Sequence, residues 1–68
     1  MKFGFEVDVL VELDEAEFHA YCPALKGLHV GGQTRKEALE NAHDAIIAYF
    51  RSLIEDSSPI PQGVRIVG

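Results

Sequence analysis

The chain has 68 residues, eleven acids against six bases, a net charge of −5 and one cysteine, Cys22. That length holds a single domain, and a lone cysteine excludes any disulfide within the chain. The bases Lys2, Lys26, Arg35, Lys36, Arg51 and Arg65 are scattered, whereas phosphate recognition concentrates them, so direct nucleic-acid binding by this chain is not expected.

Domains this small bury little apolar surface and commonly add a metal, a disulfide or another subunit. With disulfides excluded, self-association as a homodimer or capture of a protein partner is expected. The excess of acid makes a basic surface the natural complement, although such charge also serves solubility alone. An unpaired cysteine and opening residues that are neither leader nor membrane span fit a cytoplasmic protein without membrane contact.

Residues 3–13 alternate strictly, with Phe3, Phe5, Val7, Val9, Val11 and Leu13 apolar and Lys2, Gly4, Glu6, Asp8, Leu10 and Glu12 between them. Period two over this length predicts one strand with a buried and a wet face, as in an antiparallel sheet covered on one side. Asp14-Glu15-Ala16-Glu17 reads as the hairpin connection. A second strand then runs from Phe18 to Cys22, with Phe18, Ala20 and Cys22 on one face and His19 and Tyr21 on the other. Pro23 ends it for want of an amide donor. Leu28-His29-Val30 offers a third strand closed by Gly31-Gly32, where glycine would accept positive φ as the chain bends into a helix.

The helix starts at a capping box, Thr34 with Glu37. At 100° per residue, Leu39, Ala42, His43, Ile46, Tyr49, Phe50 and Leu53 share an apolar stripe directed at the core, opposite Glu37, Glu40, Asn41, Asp44, Ala48, Arg51 and Ser52. Asp56-Ser57-Ser58-Pro59 stops the helix, Pro59-Ile60-Pro61 leads out, and Val64-Arg65-Ile66-Val67 can form a last strand before Gly68. The expected fold is α+β and two-layered: an antiparallel sheet of three to four strands with one long helix, in the order βββαβ.

The stretch Phe18-His19-Ala20-Tyr21-Cys22-Pro23-Ala24-Leu25-Lys26-Gly27 resembles the strand and Pro-x-Leu-x-Gly loop of the HicB-like antitoxin family. Gly32-Gln33-Thr34 and Glu37-Ala38-Leu39-Glu40-Asn41-Ala42 follow where that family carries a Gly-x-Thr element and a Glu-Ala-Leu helix start. Pro59-Ile60-Pro61 is similar to its proline-containing linker. The resemblance covers nearly the whole chain. It implies a partial ribonuclease H-like fold without nuclease chemistry, and the antitoxin role of a type II toxin–antitoxin pair. The implied partner is a small basic HicA-type toxin that cleaves mRNA. Residues 1–68 are then one HicB-like domain, expected to lack the C-terminal DNA-binding domain of longer members, and Leu28 stands where many members carry cysteine.

No catalytic residue, metal or cofactor is assigned from the sequence. Ribonuclease H chemistry needs several carboxylates converging on two cations; Glu6 and Asp8 share a face, but no acid of the later strands or first helical turn completes a cluster. His19 and Cys22 point to opposite faces of a regular strand, and their spacing with His29 lacks the paired ligands of zinc sites. His43 falls within the apolar stripe and reads as a core-margin residue. The partner-binding surface is assigned to Glu6, Asp8, Leu10, Glu12, Asp14, Glu15, Glu17, His19 and Tyr21. A self-associating domain without a toxin partner and a residual metal-dependent nuclease remain the alternatives.

Overall fold

The computed structural model describes residues 4–67; Lys2 and Phe3, expected at the start of the first strand, and the terminal Gly68 lie outside the described residues. The elements are β1 (Gly4–Glu6), β2 (Leu10–Asp14), β3 (Glu17–Tyr21), β4 (His29–Gly32), α1 (Arg35–Glu55) and β5 (Arg65–Val67). β2, β3 and β4 form an antiparallel sheet in that order, while β5 pairs antiparallel with β1. The class is α+β, as expected.

The strand expected over residues 3–13 is therefore interrupted at residues 7–9 and changes its ladder partner from β5 to β3. Its alternation survives the break, because Phe5, Val7, Val9 and Val11 all pack inward. Side-chain period reports which face is buried and carries no information on the hydrogen-bonded neighbour. Leu13, of the same parity, is 63% exposed near the hairpin end. Glu17 belongs to β3 rather than to the connection, and Cys22 falls just beyond that strand. The turn is thus Glu15-Ala16, with Glu15 at φ 56°.

The helix packs on one face of the sheet in two clusters. Ala38 and Ala42 meet Ala20, flanked by Val9, Val11, Phe18 and Val30. Further along, Phe50 meets Cys22 and Leu25, flanked by Phe5, Ile46, Tyr49, Leu53 and Val64 among others; the Phe5 and Phe50 rings stack at 4.7 Å. Small side chains at the first cluster let backbones approach closely. A Cβ on Gly32 would lie 2.5 Å from the Ala38 nitrogen. Gly31 and Gly32 are thus strand residues, and positive φ is found instead at Gly27 and Gly63. The expected turn role of the Gly31-Gly32 pair is replaced by a packing role at Gly32.

The helix stripe is also rotated from its expected position. Ala38 is fully buried, whereas Leu39 is 39% exposed and His43 lies on the surface. With the sheet so close, alanine fits beneath the first turns and the larger Leu39 and His43 are turned outward. At the N-terminus, Thr34 Oγ1 accepts the Glu37 amide at 3.0 Å, and the Glu37 carboxylate accepts the Gln33 amide at 3.1 Å. At the other end, Ser57 takes φ 53°, its amide donates to the Ile54 carbonyl, and the Ser58 amide donates to the Leu53 carbonyl. This is the Schellman arrangement, whose left-handed residue is ordinarily glycine. Ser57→Gly is expected to add about 0.5–1 kcal/mol, read as a rise in Tm of about 2–8 °C in thermal unfolding.

Candidate functional site

The face of the β2–β3–β4 sheet turned away from the helix is built by parity. In β2, Leu10, Glu12 and Asp14 alternate with the inward Val11; in β3, Glu17, His19 and Tyr21 alternate with the inward Phe18 and Ala20. The register sets Leu10 opposite Tyr21, Glu12 opposite His19 and Asp14 opposite Glu17. β4 adds His29 opposite Tyr21 and Gly31 opposite His19. Six of the nine expected partner-binding residues thus share one face, and Glu15 joins them at the turn. A groove runs along this face, lined by Glu12, Asp14, His19, Tyr21, Lys26 and His29 among others.

Two side-chain contacts organise the face. The Tyr21 hydroxyl donates to Glu12 Oε1 at 2.6 Å. That bond favours the protonated phenol and, with minor help from desolvation and carboxylate repulsion, raises the Tyr21 pKa above its ordinary value. His19 Nδ1 lies 3.0 Å from His29 Nε2, and their rings are tilted by 35°. The other ring nitrogen of His19 is 3.8 Å from the Glu17 carboxylate. Tyr21 meets His29 edge-on, with centroids 6.2 Å apart.

The remaining two expected residues, Glu6 and Asp8, stand apart from this face. Arg65 of β5 donates from Nε to Glu6 at 3.0 Å and from Nη2 to Asp8 at 3.1 Å. These bonds, first to Asp8 and then to Glu6, raise the Arg65 pKa further above its ordinary value. The Glu6–Asp8 pair is therefore charge-compensated, whereas Asp14 and Glu15 meet no Lys or Arg in an ion pair among the described residues.

His29 is the residue the sequence reading left out of the site. Its position depends on the register of β4 against β3, set across the loop of residues 22–28. That loop is closed by backbone bonds from the Cys22 amide to Leu28, the Leu25 amide to Cys22 and the Leu28 amide to Leu25. No local pattern in Leu28-His29-Val30 encodes that register.

Among the described residues no group of three or more His, Cys, Asp or Glu side chains gathers as a metal cluster. None of their helices is long and apolar enough to cross a membrane.

No profile of a known protein family matches the chain, and no solved structure matches it. Two curated proteins do. UPF0150 protein ssr1765 of Synechocystis sp. is 42% identical over 65 residues, covering 96% of this chain and 81% of its own length. UPF0150 protein Ta0767 of Thermoplasma acidophilum is 40% identical over 55 residues, covering 79% of this chain and 80% of its own. Identity of this degree, sustained across sheet, loop and helix in a chain this short, means that the protein belongs to the UPF0150 family.

Proposed function

We propose that this chain is an antitoxin-like protein-binding domain of the HicB type, which neutralises a small basic HicA-type mRNA-cleaving toxin by masking its active surface. The observation that carries the reading is the acidic cluster at the end of the β2–β3 hairpin, where Asp14 and Glu15 pair with no Lys or Arg among the described residues. Asp14, Glu15 and Glu17 are exposed there, next to Glu12 and the half-buried Tyr21 and His19. A cationic RNA-binding surface is the complementary partner, and complementary potential accelerates encounter. The order of the Pro-x-Leu-x-Gly loop, Gly-x-Thr element and Glu-Ala-Leu helix start supports the same reading. The tagged domain should retain a small basic protein from its native lysate and suppress that protein's RNA cleavage. Replacing Asp14, Glu15 and Glu17 together by alanine is expected to weaken that binding and flatten its salt dependence; unchanged affinity in kinetic binding measurements would place the interface elsewhere.

Self-association accompanies this reading. The chain exposes 5131 Å², against about 4,200 Å² for a compact monomer of its mass. The excess, about 900 Å², is comparable with the roughly 800 Å² that each partner buries in an ordinary interface. Exposed Ile47 and Ile54 beside the Phe5–Phe50 stack, together with Ile66 and Val67 of β5, supply apolar area for a homodimer. Light scattering across micromolar concentrations should give twice the chain mass; a monomer throughout would remove the dimer from the proposal.

The alternative of a residual nuclease is disfavoured by Arg65, whose guanidinium bridges the two carboxylates that a cation would have to share. RNA cleavage in Mg²⁺ that is abolished by replacing both Glu6 and Asp8 with alanine would reverse this preference.

A further inference from the structure

We propose that His19 and His29 form a two-imidazole chelate for a divalent transition-metal ion of the Cu²⁺, Ni²⁺ and Zn²⁺ class on the open face of the sheet. Two nitrogens bound to one ion at about 2.0–2.1 Å lie roughly 3.3 Å apart in a tetrahedral site and about 2.9 Å apart at a right angle. The 3.0 Å between His19 Nδ1 and His29 Nε2 falls within that interval. Without metal, this distance is a hydrogen bond in which one ring donates its proton to the other. A metal ion taking both facing lone pairs requires the donating ring to carry its proton on its other nitrogen instead, so both imidazoles bind neutral and no net proton is released.

The surroundings hold both rings for this purpose. Antiparallel pairing of β3 and β4 fixes the two backbones, with His19 opposite Gly31 and Tyr21 opposite His29. Because Gly31 has no side chain, the space beside His19 stays open; even an added Cβ would stop 3.9 Å from its Nδ1. Tyr21, anchored by Glu12, supports the His29 ring edge-on. The Glu17 carboxylate faces the other nitrogen of His19. A carboxylate on that side of a ligating imidazole helps to orient the ring.

The arrangement also selects among metals. A structural zinc site closes with four protein ligands, and no third His, Cys, Asp or Glu completes one here among the described residues. Two adjacent nitrogens with water in the remaining positions suit tetragonal Cu²⁺ or Ni²⁺ better, and the general affinity order places Cu²⁺ first. The site is therefore exchangeable, and it needs no toxin partner.

Calorimetric titration of the untagged full chain with Cu²⁺, Ni²⁺ and Zn²⁺ salts tests this. One saturable ion per chain is expected, with Cu²⁺ bound most tightly. His19→Gln and His29→Gln should each weaken it at least about tenfold, as loss of a chelate requires, while His43→Gln leaves it unchanged. Sub-stoichiometric Ni²⁺ added to the parent protein should broaden the imidazole resonances of His19 and His29 together in NMR, a readout that no variant's folding affects. Binding unaltered in the two variants, broadening centred on His43 or the N-terminus, or no saturable binding at all would overturn the proposal.

Discussion

Leu25→Ala is expected to cost about 2–5 kcal/mol, a large part of the roughly 3–10 kcal/mol that a domain of this length possesses. Leu25 is a loop residue, yet its side chain has no exposed surface. It fills the space between Cys22 and Phe50 beneath the helix. The cavity left by alanine could not easily collapse, because three backbone bonds pin the loop on either side of it. In urea titration the midpoint should fall steeply while the m-value stays constant. Leu10→Ala, at a residue 46% exposed, should change stability by no more than about 0.5 kcal/mol. Equal losses for the two substitutions would mean that the loop is not part of the core. The result also bears on function: the same loop sets the register of β4, so a loosened loop would displace His29 from His19.

Gly32→Ala should destabilise the domain by about 1–3 kcal/mol through overpacking. The added methyl would lie 2.5 Å from the Ala38 nitrogen and 3.0 Å from both Ala38 Cα and the Glu37 carbonyl carbon. All three are backbone atoms, in a helical turn already held by the Thr34 and Glu37 capping bonds. Relief requires moving the helix away from the sheet, which would open the cluster of Ala20, Ala38 and Ala42. Gly31→Ala is the matched comparison. Its Cβ would meet nothing closer than the Phe18 carbonyl oxygen at 3.6 Å, an ordinary contact. The same chemical change at neighbouring positions should therefore lower the unfolding midpoint strongly at Gly32 and within about 0.5 kcal/mol of the parent at Gly31. Indistinguishable midpoints would show that the helix can shift at little cost.

These two glycines mark the boundary between local and tertiary information. The sequence by itself determined the alternation that buries Phe5, Val7, Val9 and Val11, the hairpin near Glu15, and the helix from its cap at Thr34 to its stop before Pro59. Each rests on spacing within a few residues, where the 2.0 and 3.6 periods and capping chemistry act directly. It also placed Leu10 and Glu12 on the wet face of one strand and His19 and Tyr21 on one face of the next, but it put Asp14 and Glu17 in the connection, and only the strand register extended the face to them. Only the tertiary structure decided the rest. Residues of one alternating run pair with β5 at one end and β3 at the other, since a ladder partner is chosen by what packs nearby. The helix rotates to seat Ala38 and expose Leu39 and His43, because Gly32 and Ala20 bring the sheet too close for a larger side chain. Arg65, 59 residues from Glu6 in sequence, reaches it only through the pairing of β5 with β1. His29 meets His19 because the loop around buried Leu25 sets the strand register. Contacts between distant segments depend on shape and register together, and neither is encoded in a local residue pattern.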